Sequence, residues 1–182
     1  MNSKKVYDGK FLDIFIDSYK KDGKIINWER CSRKNKTNAV MIVAKHIDKQ
    51  KYIMISEFRI PINAREVGFP AGLIEEGESI EETVKRELKE ETGFDLVHIS
   101  EISPLLYNSS GMTDEGVYIV YCDVTGNYSN QFLEPSEDIV PFLASPEDMY
   151  KLMRYSKDLK WGSKAWIICN NIINNELIKA NF

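Results

Sequence analysis

Gly72–Phe94 reads GLIEEGESIEETVKRELKEETGF, and this stretch decides the fold. Ser79 followed three residues later by Glu82 makes a capping box, in which each side chain satisfies the other's exposed backbone N–H. Ile80, Val84 and Leu88 recur at i, i+4 and i+8 as an apolar stripe, and Gly93 supplies a stop. The spacing predicts a helix over Ser79–Glu91. The same segment holds eight glutamates. On the helix Glu87 and Glu91 lie four residues apart and Glu90 three from Glu87, so their carboxylates share neighbouring parts of one face. Like charges about 4 Å apart cost roughly 4 kcal/mol even at an effective dielectric near 20. Such a cluster stands only if it is solvated, protonated or occupied by cations. Oxygen-only ligands suit hard divalent ions, Mg²⁺ first, which works alongside substrate phosphates. Helix composition alone leaves a second reading open, a solvated face laced by Glu82–Arg86 and Arg86–Glu90 pairs.

Outward from this helix the pattern turns to strands. FLDIFIDSY (11–19) alternates apolar and polar residues, Asp22-Gly23 is a hairpin turn, and IINWERC (25–31) continues extended. The polar connector SRKNKTN leads into AVMIVAKH (39–46), a continuous apolar run that suits a buried strand. KYIMISEFRI (51–60) is the next strand, and residues 61–71, with Pro61 and Pro70, are expected to be loop or short edge structure. Beyond the helix, LVHISEISPLLY is extended, NSSGMTDEG a loop, VYIVYCDV another buried strand and NYSNQFLEPSED irregular. Ser145-Pro146 opens a second helix as N-cap and first turn. SKAWIICNNII is a further helix expected to pack Trp166 and Ile167 inward. Strands around one central helix, then terminal helices, predict an α+β domain with α/β/α layers.

Bulk properties narrow the function. A chain of 182 residues, 43% hydrophobic, suits one domain with a sizeable core. Its formal net charge of −4 argues against a broad basic surface for nucleic acid. No apolar run approaches the roughly 20 residues that span a bilayer, and MNSKKVYDGKF has no apolar stretch of a secretory signal. Cys31, Cys122 and Cys169 are widely spaced, as expected of buried free thiols in a reducing, cytoplasmic setting. His46 and His98 are solitary, which disfavours a histidine-rich zinc site. Eight glutamates against Lys85, Arg86 and Lys89 put −5 in the 23 residues 72–94, leaving +1 on the rest of the chain. The acidity is local.

The glutamates also sit in a fixed frame: Gly72, Glu78, Arg86-Glu87-Leu88, Glu90-Glu91 and Gly93-Phe94. That frame resembles the Nudix box at every defining position. The resemblance implies a hydrolase of nucleoside diphosphates linked to another moiety, with a mixed β-sheet between helices and the box as loop–helix–loop. It implies Glu87 and Glu91 as principal Mg²⁺ ligands (Mn²⁺ as substitute), with Glu90 and the Ala71 carbonyl beside them. Arg86 would orient Glu90 and Glu78, and Leu88 and Phe94 would be core.

EFRIP at 57–61 and FPAGLIEEGE at 69–78 look like the ADP-ribose and ADP-sugar pyrophosphatase branch, in which Arg59 would hold the diphosphate or terminal ribose. INWERCSRK at 26–34 resembles the branch's adenine segment, with Trp28, Glu29 and Arg33 at the binding positions. SSGMTDE at 109–115 resembles the loop whose glutamate, here Glu115, acts as general base or joins the metal shell. The branch's crossing N-terminal strands imply a homodimer, with residues 1–38 as a β-hairpin extension and 39–182 as the Nudix domain. Three positions depart from the branch: Ser110 replaces the usual proline, Gly68 a frequent glutamate and Glu57 a glutamine. They leave a GDP- or UDP-sugar, a dinucleoside polyphosphate, or ligand sensing without cleavage as alternatives to a small ADP-ribose-like substrate.

Overall fold

The computed structural model describes residues 1–133 and 138–179, with side chains to 175. The part of the expected irregular segment at 134–137 lies outside the described residues. Three strands come first: β1 (Asn2–Asp8), β2 (Leu12–Lys21) and β3 (Lys24–Arg33) form a separate antiparallel sheet. Asp22 and Gly23, at φ 51° and 75°, make the two-residue turn between β2 and β3. A turn with both central residues left-handed matches the twist of the strands it joins.

β4 (Ala39–His46), β5 (Tyr52–Arg59), β6 (Ala64–Gly68), β7 (Ala71–Leu73), β8 (Asp95–Ile102), β9 (Leu106–Tyr107), β10 (Gly116–Thr125), β11 (Ile139–Ala144) and β12 (Lys160–Trp161) form the main sheet. Its order is β12-β6-β5-β4-β10-β8, with β7 on β4, β9 on β10 and β11 on β5. β10 runs parallel to β4 and β12 to β6, so the sheet is mixed. β4 and β5 pair only at Lys45–Tyr52 before they part, β4 to take β7 and β5 to take β6. That divergence opens a crevice at the C-terminal end of β5.

Helices cover both faces. α1 (Ile80–Thr92) buries Val84 and Leu88 against Val40, Ile42, Ala44 and Ile53. α2 (Pro146–Tyr155) and α3 (Ser163–Lys179) pack Met149, Ala165, Ile168 and Cys169 against Val43, Met54, Val67 and Phe69. Alternate residues of β4 thus feed opposite cores, which explains its uninterrupted apolar run. The layered α/β/α expectation holds, as do the capping box on Ser79 and the N-cap on Ser145, which Asp148 extends to a second capping box.

Four details differ from the sequence reading. β1 was hidden because all seven of its residues are exposed and show no alternation. Residues 64–68 are a ladder strand between β5 and β12, the two prolines flanking it without interrupting it. β11 carries Pro141 opposite Ile55, tolerated because β11 lies at the sheet's margin. Finally, Trp166 and Ile167 point outward, 40% and 66% exposed, while Ala165, Ile168, Cys169, Ile172 and Ile173 form the buried stripe. The helical period starting at Ala165 carries the core on i, i+3, i+4, i+7 and i+8 and leaves Trp166 to pack edge-on against Trp161.

Candidate active site

Arg86 organises the acidic segment. Its Nε and Nη2 donate to the two oxygens of Glu78 at 2.8 and 2.9 Å, a forked pair across the loop that precedes α1. Nη1 donates to Glu87 Oε1 at 2.7 Å and Glu90 Oε2 at 3.0 Å, and Nη2 also reaches the Leu73 carbonyl at 3.0 Å. Only a planar guanidinium serves that many acceptors in fixed directions. The Arg86 guanidinium holds the Glu78 carboxyl down at about 2, helped by the Glu75 N–H and the Thr83 hydroxyl, while burial opposes. Arg86 is in turn held well above its usual value, first by Glu78.

Glu87 and Glu91 turn inward under β7, only 7% and 3% exposed. Ala71 N–H donates to Glu91 Oε2 at 3.1 Å, which ties the last turn of α1 to the strand ahead of the box. The box glycine is required by space: a Cβ on Gly72 would sit 1.7 Å from Glu87 Oε1. Glu87, Glu90, Arg86 and Ala71 line a cleft of about 1060 Å³, together with Thr37 and Asn38 of the connector after β3. The donors fit a hard divalent cation in kind, being carboxylate and carbonyl oxygens. Among the described residues no three acidic, histidine or cysteine side chains converge as a metal cluster; Arg86 draws Glu87 and Glu90 to itself.

The loop between β9 and β10 lies along the free edge of β3. Cys31 N–H donates to the Met112 carbonyl at 2.9 Å and Trp28 Nε1 to the Gly111 carbonyl at 2.8 Å. Arg30 Nη1 and Ser32 Oγ both donate to Asp114 Oδ2, at 3.1 and 3.0 Å. Arg33 Nε donates to Glu115 Oε2, and Asn108 Nδ2 to the other oxygen of Glu115 at 2.7 Å. Glu115 and Arg33 line a smaller cavity of about 220 Å³ that shares Thr37 and Asn38 with the main cleft. Trp28, Tyr19 and Tyr107 border a third, of about 390 Å³, with Ser110 at its rim.

The structure therefore brings Ala71, Arg86, Glu87 and Glu90 to one cleft, leaves Glu91 buried next to it on the Ala71 N–H, and joins Arg33 to Glu115 beside it. Trp28 stands half-exposed against the loop. Glu29, next along β3, is exposed on the opposite face from Trp28. Arg59 lies on β5, its Nη1 2.7 Å from Glu57 and its Nε 3.5 Å from Glu66 across the ladder. Sequence reasoning missed Asn108, Thr37, Asn38 and Lys164; isolated polar residues carry no periodic signal, and only the tertiary fold gathers them.

The NUDIX domain model matches residues 35–164. ADP-ribose pyrophosphatase of Bacillus subtilis (strain 168) is 34% identical over 116 residues, 63% of this chain and 60% of that protein. ADP-sugar pyrophosphatase of Mus musculus is 28% identical over 130 residues, 67% of this chain and 59% of its own length. This chain thus spans about three fifths of those two relatives. A crystal structure of an ADP compounds hydrolase superposes with a TM-score of 0.75 at 24% identity, covering 100% of this chain and 94% of that one, a likeness of fold. With the Arg86-centred box at the mouth of the cleft and the domain match running across it, the chain belongs to the NUDIX domain family.

Proposed function

We propose that this chain is a Mg²⁺-dependent pyrophosphatase acting on ADP-ribose or a related nucleoside-diphosphate sugar, releasing a nucleoside monophosphate and a sugar phosphate. The observation that carries the reading is the pair of buried carboxylates one helical turn apart, Glu87 at a large cleft and Glu91 next to it, beside an arginine that already orders Glu78 and Glu90. Two carboxylates buried one helical turn apart call for positive charge, which Arg86 supplies to Glu87 in part and a divalent cation would complete. The names of the relatives favour an ADP-linked substrate.

Glu87, Glu90, Glu91 and the Ala71 carbonyl would hold the divalent ions, Mg²⁺ or Mn²⁺ in substitution. When bound, the ions supply charge neutralisation at the diphosphate oxygens. Arg86 keeps Glu78 and the loop ahead of α1 fixed to the helix, so the ligands arrive already placed. Glu115 accepts the proton of the attacking water as general base, at an oxygen lone pair left open by its two donors. Arg33 and Arg59 contribute positive charge to the phosphates, and Trp28 stacks on the base; Glu29, on the other face of β3, has no place beside that ring. Residues 1–38, acting as an extension to the domain at 39–182, would meet a second copy of the chain, giving a cytoplasmic homodimer.

Steady-state rates with Mg²⁺ over ADP-ribose, ADP-sugars, GDP- and UDP-sugars and dinucleoside polyphosphates test this, with product identification to locate the cleaved bond. ADP-ribose or an ADP-sugar should head the panel. Preference for another class would replace the substrate, and tight binding of ADP-ribose with no turnover under either metal would replace the enzyme with a sensor. Ser110 at the rim of the Trp28 cavity is the observation that keeps a wider set of ADP-linked compounds in the panel.

A further inference from the structure

Lys164 stands where a helix normally avoids a cation. It is in the first turn of α3, which carries no acidic residue, and positive charge there opposes the helix dipole. The side chain is also half-buried, and its ammonium is held below the ordinary lysine value by burial, while Glu115 and Glu66 pull it up. Its position is fixed by the junction before it. Gly162 N–H donates to the Val67 carbonyl at 3.2 Å, and a Cβ at Gly162 would lie 2.9 Å from Glu66 Oε1. The start of α3 is therefore pressed directly onto β6. A local rule broken under such constraint calls for a compensating role.

The role is visible in what Lys164 touches. Its Nζ donates to Asn108 Oδ1, and Asn108 Nδ2 donates to Glu115 Oε1 at 2.7 Å. A lysine ammonium can only donate and an ionised carboxylate can only accept. The amide between them then has one allowed orientation: oxygen toward Lys164, N–H toward Glu115. Without the ammonium the amide is free to turn and present its oxygen to the carboxylate. Arg33 holds Glu115 Oε2 from the other side, so each carboxylate oxygen has one dedicated donor.

We propose that Lys164 and Asn108 are positioning residues that aim Glu115 at the attacking water, anchoring the loop's carboxylate to the rigid start of α3. The inference rests on Glu115 serving as the general base.

The test is a double-mutant cycle on whichever substrate the panel selects, measuring kcat, KM and thermal midpoint for the wild type, K164M, K164R, E115Q and the E115Q/K164M pair. Losing a general base costs about 10²–10⁴-fold in kcat, so its misorientation by K164M should cost about 10- to 100-fold, with KM within about twofold. K164R, which keeps a donor, should recover most of the rate. In the E115Q background K164M should change kcat less than about twofold, because the group it aims is gone. The thermal midpoint of K164M should stay within a few degrees of wild type. A raised KM at unchanged kcat would overturn the proposal in favour of direct substrate contact. An equal loss in the E115Q background would overturn it in favour of a structural role. A slow E115Q beside a fully active K164M sinks the relay alone, whereas a fully active E115Q sinks the base assignment beneath it.

Discussion

Arg86 and Arg33 each pair with carboxylates at the cleft, yet they find them by different routes. The carboxylate partners of Arg86 lie 1, 4 and 8 residues away, whereas Arg33 meets Glu115 at a distance of 82 residues in the chain. Arg30 and Asp114 are separated by 84. The first cluster is set by helical geometry and one capped loop, so it exists as soon as α1 forms. The second exists only when the N-terminal sheet docks its β3 edge along the 108–115 loop, and it carries the entropy of that long closure. The box half of the site is thus built into local sequence, and the base half is contingent on tertiary assembly. Segments of the second kind open more readily.

The largest expected effect lies in the box. Glu91→Gln keeps the volume and an acceptor toward the Ala71 N–H but removes a buried charge one helical turn from Glu87. Turnover should fall by roughly 10³-fold, the scale of losing a principal stabiliser of developing charge. Circular dichroism and the thermal midpoint should change little. A variant that kept a tenth of wild-type rate would remove the box from the centre of the chemistry and break the comparison at its root.

Next comes the arginine itself. Arg86→Gln removes the guanidinium shared by Glu87, only 7% exposed, Glu78 and Glu90. Removing one partner of a buried pair costs about 3–5 kcal/mol; Arg86 is itself partly solvated, so about 2–4 kcal/mol is expected in urea unfolding. Asp114→Asn is the matched change in the other region, because Arg30 also holds the buried Asp17 and its own removal would break that pair too. Asp114 is 43% exposed at its side chain, and exposed pairs contribute about 1 kcal/mol or less. Equal losses for the two variants would show that the local and long-range clusters are energetically alike.

This division also explains what the sequence could reveal. The helix at 79–91 was legible to within a residue, because capping box, apolar stripe and terminal glycine all act within a few turns. The Arg86–Glu90 pair was legible from the same local spacing, whereas Arg86 as the organiser of Glu78 came only through the resemblance. Trp28 and Arg33 became candidates only through resemblance, since no local rule distinguishes them from a surface tryptophan and a surface charge. Asn108 and Lys164 were invisible, one in a loop and the other at a helix start, 56 residues apart. β1 and β11 were missed on physical grounds: one is exposed on every residue and shows no alternation, and the other holds a proline. The face of α3 was misjudged because Trp166 and Ile167 were weighed by hydrophobicity, when the period from Ala165 decides.

Trp28 gives a smaller effect and sharpens the contrast from the tertiary side. Trp28→Ala removes both the ring and the Nε1 donor to Gly111, so it should raise KM by about tenfold, with kcat within about twofold. Stacking on a base is worth about 1–3 kcal/mol. Trp28→Phe keeps a ring without the N–H and should recover most of the affinity. If Phe behaves like Ala, the hydrogen bond to the loop is what matters, and Trp28 belongs to the docking of the sheet rather than to the substrate.

The smallest expected effect is in acid. Glu78 has its carboxyl lowered from 4.5 to about 2, chiefly by Arg86. A folded-state pKa below the unfolded value means the unfolded chain binds the proton first as pH falls. The stabilisation from Glu78 is therefore complete above about pH 4.5 and drains away as pH falls toward 2. Its side chain is 20% exposed, so solvent screening reduces the full linkage value to about 1 kcal/mol. Glu78→Gln should be less stable than wild type at pH 6, and the gap should narrow by about that amount at pH 2.5, read from urea midpoints at each pH. Parallel curves for the two proteins would mean that the forked pair does not set the acid response of the box. The comparison would then have to rest on geometry alone.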